Sequence, residues 1–260
     1  MGLFNFLKAA EKETSQVPVI ARRIESNIIY THKIIELFEV EKDKRDSRWE
    51  QDFYYYIQGA SLQKNEPEII TGPDGFSYFI LQTPRTNEPF ESYCIQDIKD
   101  NVLLNNGLGV VINPAGESAE WVFSHGDIVN LYLNNEFVSE KAAATGLQHI
   151  DMTKQLQVIK QGEEVMIGQP SERYLPKPTR KSLKKFLQTK GITRPMIMLL
   201  CRRSNGEMIQ ELGINVHPED FPSVAERDYL MQQIAWFLPR HYLIISFVKS
   251  SPMAKYFMEM

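Results

Sequence analysis

Apolar residues recur at helical spacing in the first part of the chain, before and after a charged stretch. Isoleucines four or seven residues apart, among them Ile24 and Ile28, predict one helix over residues 18–40. After the charged run from 39 to 50, Phe53 and Ile57 lie four residues apart on one face of a second predicted helix. Both helices are expected to bury one apolar side.

Turn residues divide the rest of the first half into short elements. The sequence Gly-Pro-Asp-Gly at 72–75 is a turn, and a strand is predicted after it over Phe76–Gln82. Gly109–Ile112 has the apolar character of a buried strand, and a turn at Asn113–Gly116 ends it. The hydroxyl of Ser124 and the carboxylate of Asp127 are three residues apart, which is the spacing of a capping box and predicts a helix start.

The second half of the chain alternates between strand and helix patterns in the order β-α-β-β-α-β. This order predicts a ferredoxin-like split with four antiparallel strands and both helices on one face. The chain as a whole is therefore predicted to be an α+β protein of two domains, with no visible internal repeat. The predicted elements of the second half are Glu164–Gly168, Lys181–Lys190, Pro195–Arg203, Met208–Val216, Val224–Leu238 and His241–Val248.

Changes in pattern along the chain predict four segments. Leu3, Phe4, Phe6 and Leu7 can form one face of a short amphipathic helix, which we expect to dock on the body of the protein or on a second copy. Periodicity is lost after residue 138. The predicted segments are the helix at 1–16, an N-terminal domain at 17–150, a linker at 151–162 and a C-terminal domain at 163–260.

Composition limits the class of protein. The chain has 260 residues, 43% of them hydrophobic and 24% charged, which is enough for each half to bury its own core. Cys94 and Cys201 are far apart and fit no metal-ligand spacing, so we predict reduced thiols and a cytoplasmic location. No segment approaches the about 18 apolar residues of a membrane span, and no secretory signal is visible.

Charge is distributed unevenly between the two halves. Residues 1–153 carry 13 Lys+Arg and 23 Asp+Glu, whereas residues 154–260 carry 16 and 10. Halves of opposite sign favour two units that attract each other or bind separate protein partners. Another protein is therefore the predicted partner, and a homo-oligomer is left open.

A basic run over Arg173–Arg194 contains eight Lys and Arg and no acid. Such a run is most often a solvated helix face, but it can also bind an acidic partner. Nucleic acid is a less favoured partner, because the chain is acidic overall and lacks the aromatic strand motif of RNA-binding domains. The candidate binding residues are Arg173, Lys177, Arg180, Lys181, Lys184 and Lys185.

No motif of a known catalytic or cofactor site is present, so we predict neither a cofactor nor a metal. Gly107-Leu108-Gly109 lacks the third glycine of a dinucleotide fingerprint. His125 and Asp127 could be taken for a catalytic pair, but a helix start explains them better. An alternative hypothesis places an enzyme or ligand-sensor site at the domain junction, with contributions from Asn113, Glu117, His217 and Glu219.

Two short motifs resemble the SseB ("enhanced serine sensitivity") family of bacterial proteins. Gly107–Ser118 reads Gly-Leu-Gly-Val-Val-Ile-Asn-Pro-Ala-Gly-Glu-Ser, and Val165–Ser171 reads Val-Met-Ile-Gly-Gln-Pro-Ser. With the strands that follow, the resemblance covers most of residues 45–258. It implies a bacterial cytoplasmic protein with two α+β domains and supplies no catalytic residues. The basic run and the charged insert around Glu39–Arg48 depart from the family.

The favoured hypothesis is a non-enzymatic interaction or regulatory module with an acidic and a basic domain. The alternatives are a ligand sensor or enzyme at the junction and, third, nucleic-acid binding through the basic run.

Overall fold

The structure, a computed structural model, describes five stretches of the chain: residues 19–85, 88–116, 118–138, 165–204 and 207–260. The predicted N-terminal helix at 1–16 and the predicted linker at 151–162 lie outside them. Within the described stretches no helix combines the length and the apolar character that crossing a membrane requires.

Helices and strands are mixed in both halves, which confirms the α+β class. The α-helices of the described stretches are α1 (Val19–Phe38), α2 (Ser47–Ile57), α3 (Ile95–Ile98, continued by a π-helical segment Lys99–Leu104), α4 (His125–Asn134), α5 (Lys177–Thr189) and α6 (Val224–Ala235). The strands are β1 (Leu62–Thr71), β2 (Ser77–Gln82), β3 (Ser92–Tyr93), β4 (Gly109–Ala115), β5 (Ser118–Phe123), β6 (Val165–Gly168), β7 (Met196–Ser204), β8 (Glu207–Ile214), β9 (Leu243–Ile245) and β10 (Met258–Glu259). Short 3-10 helices occur at Lys42–Lys44, Pro218–Asp220 and Pro252–Tyr256.

The N-terminal sheet has the strand order β3-β1-β2-β4-β5. Strands β1 and β2 form an antiparallel hairpin, and α3 then carries the chain to β4, which is parallel to β2. Strand β5 pairs antiparallel with β4 and is the last strand of the sheet. Among the described residues, no strand lies beside its outer edge.

Both faces of the N-terminal sheet are buried. Along β2, Phe79 and Leu81 pack into a core with residues of α1, α2 and α4. Tyr78 and Ile80, which alternate with them, pack into a second core with residues of α5 and α6. This alternation explains why β2 is a continuous apolar run rather than a half-polar strand.

The C-terminal sheet has the order β10-β7-β8-β9, and β6 also pairs with β7. Strands β7 and β8 form the predicted antiparallel hairpin, but β9 is parallel to β8. The predicted all-antiparallel sheet is therefore wrong. Helix α6 carries the chain from β8 directly to its neighbour, so no strand is inserted between them as a split pattern requires, and β6 lies beside β7 instead.

The two halves repeat one topology although their sequences show no repeat. In the first half, apart from the short strand β3 between β2 and α3, the order α2-β1-β2-α3-β4 gives a helix, an antiparallel hairpin, a crossover helix and a parallel strand. In the second half α5-β7-β8-α6-β9 gives the same order and the same pairings. The first half then adds β5 and α4.

Helices α5 and α6 contribute to the packing of both sheets. Their apolar residues share one core with β2 and β4 from the first half and β7, β8 and β9 from the second. At this contact the rings of Phe76 and Trp236 stack with centroids 4.1 Å apart. Trp236 also donates a hydrogen bond from Nε1 to the hydroxyl of Tyr78 (2.9 Å). The second face of the N-terminal sheet is therefore covered by the C-terminal half.

Candidate functional site

Four residues of the basic run form an exposed stripe, which we call the basic stripe: Arg173, Lys177, Lys181 and Lys185. The three lysines are four residues apart on α5, so they lie along one side of the helix. Lys177 forms an exposed ion pair with Glu172 (2.7 Å). The buried residues of α5, two positions further along and hence on the opposite side, are Thr179, Leu183 and Leu187.

The other two predicted binding residues hold the fold together. Arg180 donates from Nε to the carbonyl of Leu175 (2.9 Å) and from Nη2 to the carbonyl of Pro170 (2.7 Å). Lys184 donates from Nζ to the carbonyl of Met260 (3.0 Å). These bonds tie α5 to the loop before it and to the segment that follows β10.

Exchanging both Lys181 and Lys185 for glutamate should change the free energy of unfolding by less than about 0.5 kcal/mol, because both side chains are exposed. The matched variant Arg180→Ala should cost about 2 kcal/mol, since two carbonyls lose a charged donor. Urea unfolding of the three proteins measures both effects. Equal losses in the two variants would contradict this division of the basic run.

His125 joins the two halves at the start of α4. Its side chain is fully buried (0% exposed), with Nδ1 3.2 Å from the carbonyl of Leu108 and Nε2 3.2 Å from the hydroxyl of Thr179 in α5. Burial lowers the pKa of His125 to about 4, so the imidazole is neutral at neutral pH. Because a carbonyl only accepts, Nδ1 carries the hydrogen and Nε2 accepts from Thr179.

Asp127 is engaged by both halves. The predicted capping box is confirmed: Ser124 N–H donates to Asp127 Oδ2 (2.9 Å), and Asp127 N–H donates to Ser124 Oγ (3.1 Å). Arg240 adds two bonds, from Nε to Oδ1 (2.7 Å) and from Nη2 to Oδ2 (3.1 Å). Between these residues, Gly126 N–H donates to the carbonyl of Trp236 (2.9 Å). The Ser124–Asp127 turn therefore fastens the two halves.

The residues of the alternative junction site have separate partners. Asn113 Oδ1 accepts from the backbone N–H of the residue that follows β2 (2.8 Å). His217 donates from Nδ1 to a carbonyl of the segment 247–249 (2.7 Å), and Glu219 accepts from a backbone N–H of that segment (3.1 Å). No hydrogen bond between side chains of the described residues links Asn113 to the other two. Glu117 lies outside the described residues.

A cleft of about 480 Å³ lies between the N-terminal end of α2 and the edge strand β5, and we call it the α2–β5 cleft. One wall is formed by residues of the segment Lys42–Glu50, and the other wall by Ala119–Val122. This volume is within the range of sites that bind small molecules or the side chains of a partner.

Two indole rings line the α2–β5 cleft, the largely buried Trp49 and the half-buried Trp121. The ring centroids of Trp49 and Trp121 are 5.7 Å apart, and the guanidinium of Arg45 lies 4.6 Å from the centre of the Trp49 ring. Arg45 is fixed by Nε, which donates to the carbonyl of Val40 (3.0 Å), and by an ion pair with Glu120 (2.7 Å). The cleft is therefore walled by side chains that are already held in place.

The charges at the rim of the cleft are unequally paired. Arg45 and Glu120 neutralise each other, whereas Asp46 and Glu50 form no ion pair with any described residue. Asp46 accepts from the backbone N–H of Trp49 (2.8 Å), and Glu50 accepts from a tyrosine hydroxyl (2.8 Å). The cleft lining also includes the exposed Lys42, and Glu50 interacts electrostatically with Arg240, but neither carboxylate accepts a hydrogen bond from a charged donor among the described residues.

No pattern in the sequence predicts this cleft. Trp49 belongs to the second predicted helix and is buried, and no element was assigned to Trp121. The one signal available was the order Trp-Val-Phe at 121–123, in which bulky residues precede a helix cap as they would at the end of a strand. Sequence spacing alone does not bring residues 45–49 beside residues 119–122.

Comparisons of the chain with family models, curated proteins and solved structures each found no match. Among the described residues, no group of three or more His, Cys, Asp or Glu is arranged to hold a metal ion. The features of the described residues that bear on function are therefore the cleft, the basic stripe and the junction.

Proposed function

We propose that this chain is a non-enzymatic protein-interaction module that binds its partner in the α2–β5 cleft. The observation that carries the proposal is an open cleft beside strand β5, lined by the half-buried ring of Trp121 over the largely buried ring of Trp49. Aromatic rings offer a large contact area at a low cost in conformational entropy, and they dominate the energetics of many protein interfaces. A fixed guanidinium and two carboxylates add polar selectivity.

The chemistry of the junction supports a binding role over a catalytic one. His125 is fully buried and Asp127 is 2% exposed, and the hydrogen bonds of their side chains go to Leu108, to Thr179 and Arg240 of the second half, and to the backbone of the capping box. A general base has to reach a substrate proton, directly or through one water. In this fold the pair fastens α4 to α5 and to Arg240 instead.

We also propose a family, a cellular location and a domain layout for the chain. We place the chain with SseB-type regulatory proteins of the bacterial cytoplasm, with domains at 17–150 and 163–260. The motifs at Gly107–Ser118 and Val165–Ser171 support this placement, and they coincide with strands β4 and β6. The shared topology of the two halves supports the division into two units.

The basic stripe is a second candidate contact surface, for an acidic surface on the same or another partner. What favours it is its place on α5, directly opposite the buried side, with one ion pair along it among the described residues. Exposed charges of this kind steer association and contribute less to affinity than the cleft.

Photo-cross-linking at Val122 tests the proposed function. Val122 lines the cleft and is 47% exposed. Ile69 in β1 is outside the cleft lining and 48% exposed, so it serves as the matched control. With p-benzoylphenylalanine at Val122, we expect one partner to be captured in cells that is not captured from position 69. The purified partner should then bind the Val122→Arg variant at least about tenfold more weakly, and the Ile69→Arg variant normally.

Two results would contradict the proposed function. The first is an identical cross-linking pattern from positions 122 and 69. The second is a captured partner whose affinity does not change in Val122→Arg. A captured second copy of the chain, recognised by its mass, would identify the partner as the protein itself.

A further inference from the structure

The α2–β5 cleft runs along the backbone of the edge strand. Four consecutive residues of β5, Ala119 to Val122, line it. Successive side chains of a strand point to opposite faces of the sheet. Four in a row can therefore border one cavity only if the cavity follows the edge of the strand, where the main chain itself is accessible.

The opposite wall is one face of a helix. Asp46, Trp49 and Glu50 stand three and four residues apart at the start of α2, so their side chains project from the same side. An edge strand on one side and a helix face on the other form a groove with the shape of an extended chain. Peptide-binding domains that add a strand to a sheet use this arrangement.

Backbone carbonyls of β5 accept hydrogen bonds from side chains of the segment before α2. Lys42 donates from Nζ to the carbonyl of Ala119 (2.8 Å), and Arg45 approaches the carbonyl of Glu120 (3.5 Å). Lys42 is an exposed, flexible side chain, so the N–H of an incoming strand can replace it.

We propose that the partner enters the α2–β5 cleft as an extended segment that pairs with the outer edge of β5. The inference rests on the proposed function and specifies the partner as a peptide strand with basic residues and alternating apolar residues. Its basic side chains lie near Asp46 and Glu50, the two rim carboxylates without an ion pair among the described residues. Its apolar side chains pack on the indole of Trp121.

The probe is a seven-residue peptide of alternating lysine and valine, titrated into the full chain by calorimetry. It should bind at least about tenfold more tightly than a peptide of alternating glutamate and valine. Methylating alternate backbone nitrogens of the probe should weaken binding about tenfold, because the pairing uses main-chain donors. Hydrogen exchange should slow for the amides of residues 119–123.

Two matched variants test the charge contribution. Glu50→Gln keeps the acceptor for the tyrosine hydroxyl but removes the charge, and it should weaken the lysine–valine peptide about threefold. Asp52→Asn removes an exposed charge from the same helix two residues further on, outside the cleft lining, and it should leave binding unchanged.

Three results would overturn strand addition: equal affinity of the two peptides, no effect of backbone methylation, or no binding of the lysine–valine peptide. None of them alters the result of cross-linking at Val122. If a partner is captured and any of these three results is also obtained, the proposed function stands and only strand addition is rejected. If cross-linking at Val122 captures no partner, the proposed function itself is rejected.

Discussion

Replacing Gly126 by alanine should lower the free energy of unfolding by about 3 kcal/mol. A Cβ atom at this position would lie 1.9 Å from the carbonyl oxygen of Leu238 and 2.4 Å from its carbon. Both are backbone atoms, so no side-chain rotation relieves the contact. The two halves would have to move apart, which also strains the bonds of His125 and Asp127 across the junction.

Gly168→Ala is the matched control, because a Cβ there meets no atom within 4 Å. It should change stability by at most about 0.5 kcal/mol. Urea denaturation of the two variants and the original protein gives the comparison. Equal stability of Gly126→Ala and Gly168→Ala would mean that the halves are not closely packed at the start of α4.

Lowering the pH from 7 to 5 should cost about 2 kcal/mol of stability through His125 alone. The pKa of this imidazole is about 4 in the fold and has its ordinary value of 6.5 when the chain is unfolded. Between these values the unfolded state binds more protons. The stability is therefore complete above pH 6.5 and is lost as the pH falls towards 4.

The variant His125→Gln isolates this effect, because it retains every other titratable group. It should be less stable than the original protein at pH 7 and should show a shallower loss between pH 6.5 and 5. Urea unfolding at half-unit pH steps measures both slopes. Parallel slopes would show that His125 is not buried as a neutral imidazole.

Local patterns of sequence predicted much of the fold. The capping box at Ser124–Asp127 opens a helix as expected, because the bonds that define it join residues three apart. The strand predicted at Phe76–Gln82 was found at Ser77–Gln82, since its apolar run lies between clear turn residues. The hairpin of β7 and β8 was likewise predicted, although its turn at Asn205-Gly206 lies outside the described residues.

Elements without a strong local pattern were missed. Strand β1 contains Lys64, Glu66, Pro67 and Glu68, which are typical of an exposed edge and break the alternation of a strand. Pairing with β2 stabilises it, and that pairing is not local. In α1, Ile34 is buried and Ile28 is half exposed, because the face that meets α2 is chosen by packing.

The candidate sites show the same limit. Sequence correctly indicated a basic surface on α5, but it did not separate Arg180 and Lys184, whose donors reach backbone carbonyls, from the stripe that faces solvent. The α2–β5 cleft brings together Arg45 and Trp121, which are far apart in the chain. Such a contact depends on the strand order of the sheet, which the pattern of apolar residues does not specify.

The shared core has a consequence for the order in which the chain is made. When the ribosome has completed β4, the apolar side of Tyr78 and Ile80 is still uncovered, because α5 begins 62 residues later and α6, which completes the cover, begins 109 residues later. At roughly 5–20 residues per second, this face waits roughly 5–20 s for its cover. During that interval the nascent first half exposes an apolar sheet face, which makes it prone to aggregate until the second half has been made.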